Sequence, residues 1–442
     1  MPRYALTFAL AAACSTGAAA SDLSRLVVFV SALGNDAIVR MEDRNGDGTF
    51  NGPEDTTIFF GPGNASGFPG SGSAQSILVL SETEVLAADG EGSGGFTKRV
   101  YRLRDMNGDG TSMGAGEAIE YWDGILPGYG GANFDRPKEM WVGPDGAIYL
   151  ADNNTINFDN DSPEAIWRLE DLNGDGTVNN PGEVTLHLEL APPDMRFAFI
   201  SEDFKLNSKG QIYFSNQTSS TNTTHIWIIE PDKTLRPFLS ADDLFGLDFQ
   251  KTGMTLHPET ENPVVAGWDI AGNRRIMEFV DLDGNGMIDD NSEVQFLYRQ
   301  DLAATPASWG IPSSVMDVEY APDGSLFVLD VTNDRIWRLV DLDGDGTFNG
   351  PGEVSIVYQA SVAAANGGVE IDFPRTIGFV LRAIPGDLTG DGNVGSADLA
   401  ILLGSWGPCP PAPDPCSADL SGDGAVGSAD LAILLGNWGA GR

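Results

Sequence analysis

The sequence predicts a mainly β protein, a six-bladed β-propeller followed by a small C-terminal α-helical module. Three observations predict this fold. An acidic loop recurs five times between strand-like segments, a turn-and-strand unit recurs upstream of it, and the composition changes after Pro385. Each period of about 45–65 residues then holds four short antiparallel strands, which is typical of a propeller blade.

The first 20 residues indicate a secretory signal peptide. They combine a basic start at Arg3, an apolar stretch from Tyr4 to Ala13 and small residues ending at Ala20, where cleavage is predicted. The alternative is a lipid anchor on Cys14, although Ala rather than Leu stands three residues before it. The protein is therefore expected to be secreted, and the chain holds no apolar run long enough for a membrane span.

The charge of the chain excludes a nucleic-acid role. Against 64 Asp and Glu stand only 25 Lys and Arg, a net charge of −39, whereas nucleic-acid binding needs a basic face that displaces counterions from phosphate. The same charge argues against docking on an anionic membrane surface. Three His and three Cys leave little material for a zinc site or a His-based catalytic set.

The blade boundaries follow from the acidic loops, which begin at Asp43, Asp105, Asp171, Asp281 and Asp341. The steps between them are 62, 66, 110 and 60 residues. The step of 110 spans two periods, and a short PDK turn replaces the loop in the repeat that lacks it. The predicted blades are residues 26–60, 77–124, 138–192, 198–240, 249–300 and 314–360, within a domain of residues 21–384.

The two ends of this domain predict a closed ring. The first unit begins directly at its second strand, near Leu26, and a further strand-like segment follows the sixth unit from Arg375. That last segment is expected to supply the innermost strand of the first blade, because closure removes two raw sheet edges. In this periodicity, residues 26–384 resemble the NHL and TolB-like six-bladed propellers, and no family-specific catalytic motif accompanies the resemblance.

The acidic loops carry the pattern of a site for a hard cation. Oxygen-bearing side chains stand at the first, third and fifth positions, and a glycine at the sixth allows a turn that brings the seventh backbone carbonyl onto the ion. An acid follows at the thirteenth position in all five loops, rather than at the twelfth as in an EF-hand. Only the first loop also has a twelfth-position acid, Glu54.

These loops are predicted to bind Ca²⁺. The alternative is a solvated Asp/Gly turn, against which stands the mutual repulsion of carboxylates crowded into five residues. The predicted ligands are Asp43, Asn45, Asp47, Thr49 and Asp55; Asp105, Asn107, Asp109, Thr111 and Glu117; Asp171, Asn173, Asp175, Thr177 and Glu183; Asp281, Asp283, Asn285, Met287 and Glu293; and Asp341, Asp343, Asp345, Thr347 and Glu353.

Residues 385–442 form a second predicted domain. A loop–helix unit occurs twice, 32 residues apart, and here the acid does occupy the twelfth loop position. Leu399, Leu402 and Leu403 are expected on one side of the first helix, with Gly404 as its stop. Cys409 and Cys416 flank a Pro-rich linker and predict one local disulfide in a secreted chain, with two free thiols as the alternative.

This domain resembles the type I dockerin, two loop–helix half EF-hands in pseudo-twofold repeat. The resemblance implies calcium binding, a cohesin-like protein as partner, and a place on a secreted carbohydrate-active protein. The ligands that it implies are Asp387, Thr389, Asp391, Asn393 and Asp398 in the first half, and Asp419, Ser421, Asp423, Ala425 and Asp430 in the second.

No motif in the sequence identifies an active site. There is no GxSxG elbow, no HExxH and no phosphate-binding loop. The histidines are scattered and are expected to be structural. In lactonase-type propellers carboxylates hold a metal at the central mouth, and the acids near the predicted first strands here are Glu139, Glu202, Asp203 and Asp317. The alternative for these acids is plain acidic surface.

Two functions therefore stay open. The first is a non-catalytic, calcium-stabilised propeller that binds a ligand or acts as a scaffold, and it is favoured. The second is a dockerin-bearing polysaccharide hydrolase or lyase, or a lactonase-like enzyme. Carbohydrate binding would need exposed aromatic residues. Trp167, Trp227 and Trp337 recur at one blade position and are expected to pack, whereas Trp122, Trp141, Trp268 and Trp309 do not recur and could form a binding face.

Overall fold

The computed structural model describes residues 23–68, 74–89, 98–125, 137–152, 164–190, 200–217, 224–239, 247–248, 253–269, 273–303, 315–382, 384–390, 393–410 and 416–439. These residues fall into two compact units that divide between Val380 and Leu381. The predicted signal peptide and Cys14 lie outside the described residues. Within these ranges, no helix combines the length and the apolar character needed to cross a bilayer.

The larger unit is a six-bladed β-propeller, as predicted. Its strands are β1 (Leu26–Ala32), β2 (Ala37–Met41), β3 (Thr56–Phe60), β4 (Ala74–Ser81), β5 (Glu84–Asp89), β6 (Arg99–Arg104), β7 (Ala118–Trp122), β8 (Pro137–Val142), β9 (Ile148–Asp152), β10 (Glu164–Leu169), β11 (Val184–Leu190), β12 (Ile200–Leu206), β13 (Ile212–Gln217), β14 (Thr224–Ile229), β15 (Leu235–Leu239), β16 (Leu247–Asp248), β17 (Met254–Leu256), β18 (Pro263–Asp269), β19 (Arg274–Phe279), β20 (Val294–Arg299), β21 (Val315–Tyr320), β22 (Leu326–Asp330), β23 (Arg335–Leu339), β24 (Val354–Gln359) and β25 (Pro374–Leu381).

Six antiparallel sheets form the blades. From the inner to the outer strand they are β25-β1-β2-β3 for blade 1, β4 to β7 for blade 2, β8 to β11 for blade 3, β12 to β15 for blade 4, β16 with β18 to β20 for blade 5, and β21 to β24 for blade 6. In blade 5, β17 also pairs with β18. Because β25 pairs with β1, the C-terminal strand closes the ring as predicted.

The core lies between successive blades. Second strands such as β9 and β22 are buried along their whole length, because both faces of each sheet pack against a neighbouring sheet. Trp167 of blade 3 packs with Trp122 of blade 2 in one such apolar cluster. Trp337 of blade 6 packs with Val264 of blade 5 in another. A short helix, α1 (Ala360–Ala365), follows the sixth blade.

A β-bulge interrupts the ladder between the third and fourth strands of every blade. One residue of the fourth strand is skipped each time, which leaves that residue without a ladder partner and increases the local twist. The skipped residues are Phe59, Tyr121, His187, Phe238, Leu297 and Val357.

The C-terminal unit consists of two loop–helix repeats. Its helices are α2 (Ser396–Gly404) and α3 (Ser428–Gly436), and its only described sheet pairs β26 (Gly407–Pro408) with β27 (Ala425–Val426). Leu402 and Leu434 are fully buried in a small shared core. Leu403, on the same side of α2 as Leu399 and Leu402, is 53% exposed. A disulfide joins Cys409 to Cys416, as predicted.

Candidate metal centres

Each of the five acidic loops connects the third strand to the fourth strand of its blade. In every loop the first-position Asp holds the turn together, because its two carboxylate oxygens accept the backbone N–H groups of the fourth- and sixth-position glycines. For Asp43 these distances are 2.8 Å to Gly46 N and 2.9 Å to Gly48 N. Both glycines have φ above +70°, a conformation that a side chain would strain.

The thirteenth-position acid is buried inside every loop. Its exposed fraction is 2–3%, although an unpaired carboxylate is costly to bury. Each accepts backbone N–H groups from the second and tenth positions of its own loop, as Glu183 does from Leu172 at 3.2 Å and Asn180 at 2.8 Å. The set is Asp55, Glu117, Glu183, Glu293 and Glu353. In the first loop, the twelfth-position Glu54 is exposed instead.

Carboxylates from separate loop positions converge. Ligand atoms of Asp281, Asp283 and Glu293, from the first, third and thirteenth positions, all lie within 4.8 Å of one another, as do those of Asp341, Asp343 and Asp345. Two negative charges at this separation repel by about 1 kcal/mol even in a water-like medium. A divalent cation would replace this repulsion by attraction, so the all-oxygen donor set fits a hard cation such as Ca²⁺.

Hydrogen bonds lower the pKa of the fifth-position carboxylates Asp109 and Asp175. A hydrogen bond from the Thr177 side chain, with a further one from Asn173, lowers the pKa of Asp175 to about 2, and the corresponding bonds from Thr111 and Asn107 lower the pKa of Asp109. In all five loops the seventh-position N–H donates to the fifth-position side chain. These bonds hold the predicted ligand positions in one tight turn.

The two loops of the C-terminal unit repeat this arrangement with a twelfth-position acid. Asp398 and Asp430 are buried, and each accepts N–H groups from the third loop position and from the residue before its helix. Hydrogen bonds, first from Gly427 and then from Ser421, lower the pKa of Asp430 to about 2. Asp387 and Asp419 accept N–H groups as the first-position residues do in the propeller. Asp391 lies outside the described residues.

A buried lysine occupies the inner strands of the propeller. Lys205, on β12, is 1% exposed and forms ion pairs with Glu139 on β8 and, at 2.6 Å, with Glu319 on β21. Its ammonium also lies 4.8 Å from the centre of the Trp141 ring. Sequence reasoning missed Lys205 and Glu319, and the available signal was a lysine between the apolar residues of a predicted inner strand.

Asp317 completes this inner-strand cluster. Its Oδ2 accepts the Ile377 N–H of β25 at 2.9 Å. One lysine faces three carboxylates here, and burial raises the pKa of Glu139 to about 8 and that of Asp317 to about 6. The structure thus brings the two inner-strand acids Glu139 and Asp317 into one cluster. The positive charge within this cluster is that of Lys205. The side chains of Glu202 and Asp203 lie outside the described residues.

Several aromatic and histidine side chains of the described propeller residues serve packing. Trp167 and Trp337 are buried, as predicted. Trp122 is 1% exposed, so the expectation that it could join an exposed binding face is wrong. The His187 ring packs edge-on against Tyr149, and the His257 ring packs against Tyr320 in the same way. Trp309 and the side chains of Trp268 and His225 lie outside the described residues.

Comparison with known proteins finds likeness to solved structures. No family model matches the chain, and no curated protein matches it. A virginiamycin B lyase from Staphylococcus aureus is 14% identical, with a TM-score of 0.34, over 64% of this chain and 68% of the lyase. A protein assigned as a 6-phosphogluconolactonase from Bacteroides fragilis is 14% identical, with a TM-score of 0.38, over 82% of this chain and 100% of that protein.

A protein of unknown function from Bacteroides caccae is 12% identical, with a TM-score of 0.42, over 81% of this chain and 99% of that protein. None of these three neighbours reaches a TM-score of 0.5. At this level of likeness they assign no activity to the present chain, and whether it is an enzyme stays undecided, with a non-catalytic role favoured.

Proposed function

We propose that this chain is a secreted calcium-binding propeller that acts as a scaffold and attaches to a cohesin-like partner through its C-terminal module. One observation carries the calcium part. In five loops a buried thirteenth-position acid reaches back to the loop start, and in the loop of blade 5 that acid, Glu293, lies within 4.8 Å of Asp281 and Asp283. Secretion rests on the signal-like first 20 residues.

Each propeller loop would hold Ca²⁺ through oxygen atoms alone. The first-, third-, fifth- and thirteenth-position side chains would supply the charged and amide ligands, and the seventh-position residue its backbone carbonyl. In the first loop the Asn45 Nδ2 group donates to both Asp47, at 3.1 Å, and Asp55, at 3.4 Å. The Asn45 amide, which is only partly positive, thus bridges two carboxylates. A cation bound at this place would attract both carboxylates with its full charge.

Thermal melting of the full chain tests the calcium proposal. Ligands that bind only the native state stabilise it by mass action, about 2.7 kcal/mol for one site at 100-fold excess over the dissociation constant. The melting temperature should rise in Ca²⁺ relative to EDTA, and Mg²⁺ at the same concentration should give a smaller rise, since it prefers octahedral sites with retained water. Equal melting in Ca²⁺ and EDTA would remove the proposal.

The docking part is supported by a duplicated apolar surface on the C-terminal unit. Leu403 and Trp406 are 53% and 50% exposed, and their counterparts 32 residues later, Leu435 and Trp438, are 51% and 48% exposed. Exposed large apolar side chains that recur in a pseudo-twofold repeat offer a partner two related surfaces. Leu403 and Leu435 lie in helices α2 and α3, and Trp406 and Trp438 follow these helices, whose preceding loops carry the predicted ligands.

Binding to a purified cohesin domain tests this part. The full chain should bind in Ca²⁺ and lose binding in EDTA, because the loops position the helices. Trp406→Ala with Trp438→Ala should weaken binding at least tenfold, since buried aromatic anchors dominate interface energy. Exposed Leu302, in the propeller, provides the control variant Leu302→Ala. Equal binding in Ca²⁺ and in EDTA, together with unchanged binding by the double Trp variant, would contradict the docking proposal.

A further inference from the structure

Each acidic loop contacts the preceding blade as well as its own. The backbone N–H of the eighth loop residue donates to the carbonyl of the bulge residue in the fourth strand of that blade. The five bonds are Phe50 to Val357, Ser112 to Phe59, Val178 to Tyr121, Ile288 to Phe238 and Phe348 to Leu297, at 2.7–2.8 Å. A bulge residue lacks a ladder partner, so the loop satisfies a backbone group that the blade itself leaves open.

A second contact accompanies three of these bonds. Where the ninth loop residue is Asn, its side-chain oxygen accepts the N–H two residues beyond the bulge. The pairs are Asn51 with Gln359 at 2.9 Å, Asn179 with Asp123 at 2.8 Å and Asn349 with Arg299 at 2.9 Å. The loop therefore caps both a carbonyl and an N–H on the last strand of the neighbouring sheet.

The residues that make these contacts lie between proposed calcium ligands. The eighth and ninth positions follow the seventh-position ligand and precede the thirteenth-position acid. An ion that fixes both sides would hold the eighth N–H in place, whereas an empty loop would leave it to move with the repelling carboxylates. We call the contact region between two neighbouring blades their joint. An ion that orders the loop then also orders the joint to the preceding blade.

The joint between blades 3 and 4 is built differently. Blade 4 has a short turn from Glu230 to Thr234 in place of the acidic loop. The bulge residue of blade 3 is His187, and within the described residues no loop N–H from blade 4 reaches its carbonyl. Burial, together with the charge of Lys233 in that short turn, lowers the pKa of His187.

We infer that calcium binding by an acidic loop fixes its blade to the preceding blade, and that the joint between blades 3 and 4 is independent of calcium. The inference rests on the proposed calcium binding and adds what the ions do. Five of the six joints would tighten with calcium, and the sixth would rely on apolar packing, such as that of Phe204 and Phe214 with Tyr149.

Hydrogen–deuterium exchange on the full chain tests this inference, with Glu353→Gln as the main variant. In Ca²⁺ it removes a charged ligand from the loop of blade 6 while the other loops stay intact. Exchange at the amides of Phe348 and Arg299 should rise by up to roughly tenfold, since one hydrogen bond contributes up to ~1.5 kcal/mol. Peptides covering β3, β7 and β11 should not change. Loosening of these distant strands would overturn the inference.

Asn349→Ala is the matched control, because it removes the joint contact and none of the proposed ligands. It should raise exchange at Arg299 and leave the calcium affinity of the loop unchanged. In wild type, EDTA should deprotect the amides of Gln359, Asp123 and Arg299 and leave β11 unchanged. Calcium binding by calorimetry without any change at these amides would refute the inference alone, whereas no calcium binding would refute the proposed function itself.

Discussion

Glu54 and Asp55 stand next to each other in the first acidic loop but have opposite environments. Glu54 is exposed, whereas Asp55 is 2% exposed and accepts N–H groups from Arg44 at 3.1 Å and Gly52 at 2.7 Å. The sequence predicts an acid at the thirteenth position, but only the fold explains it. The extra residue lets the acid enter the loop from the start of a β-strand instead of from a helix.

This pair gives a prediction at the scale of one residue. Asp55→Asn should abolish or weaken calcium binding at the first loop by at least tenfold, because it removes a charged ligand and keeps its shape. Glu54→Gln should leave the number of bound ions and their affinities unchanged. Calorimetric titration of both variants with Ca²⁺ decides between the two positions. An equal loss in both, or a loss in Glu54→Gln alone, would contradict the assignment.

The cluster around Lys205 gives a second residue-scale prediction. Burial raises the pKa of Glu139 to about 8 and that of Asp317 to about 6. Because both values are higher in the folded state, the protonated forms favour folding. Their contribution is present at low pH and is lost as the pH rises through about 6 and then about 8. In Ca²⁺, the propeller should therefore be less stable at pH 9 than at pH 6.

The variant Glu139→Gln should reduce that loss of stability, since it cannot ionise. Denaturant unfolding at pH 6 and at pH 9 measures the loss of stability between them. Glu259→Gln, at an exposed turn position, serves as the control. The same pH dependence in wild type and Glu139→Gln would show that this cluster does not set it. The sequence pointed to Glu139 and Asp317 but not to Lys205, because nothing local indicates which inner strands face each other.

At the scale of the elements, the ring requires close approach between inner strands. A Cβ on Gly253, at the start of the inner part of blade 5, would lie 2.4 Å from Val318 N and 2.8 Å from Asp317 Cα on β21. A Cβ on Gly378 of β25 would lie 2.6 Å from Cγ2 of the Val79 side chain, and the Val79 backbone N would be 4.0 Å away, at ordinary contact distance. A backbone cannot move aside as a side chain can.

Gly253→Ala should therefore destabilise the propeller by about 3 kcal/mol or more, at the upper end of the cost of overpacking. Gly378→Ala should cost less, about 1–2 kcal/mol, because Val79 can adjust. Thermal melting of both variants in Ca²⁺ compares them. An equal or smaller effect of Gly253→Ala would argue against this packing of blades 5 and 6.

The elements themselves were largely predictable, and their details were not. Alternating apolar segments, PDG-like turns and the recurring loop predict four strands per blade, and the missing inner strand of blade 1 predicts closure through β25. The bulges at residues such as Phe59, His187 and Val357 were not predictable, because the skipped positions share no residue type. Likewise, the sequence places Leu402 and Leu403 on one side of their helix, and only the packing of Leu402 with Leu434 shows that Leu402 is buried while Leu403 is exposed.

At the scale of the whole molecule, charge dominates. The net charge is −39, and self-repulsion destabilises a compact state. Raising NaCl from about 0.01 M to about 1 M shortens the Debye length from about 30 Å to about 3 Å. Salt should therefore raise the melting temperature of the full chain strongly in EDTA and much less in saturating Ca²⁺, which already neutralises the acidic loops. The same rise under both conditions would show that the loops are not where the repulsion is relieved.

Native mass spectrometry of the full chain counts bound ions and so tests whether the acidic loops bind calcium. Five propeller loops and two C-terminal loops predict seven Ca²⁺ ions per chain at saturation. Asp55→Asn should lower that number by one, and Glu54→Gln should not change it. A count of two or fewer ions in the wild-type chain would leave at least three of the five propeller loops without metal and would contradict calcium binding by these loops.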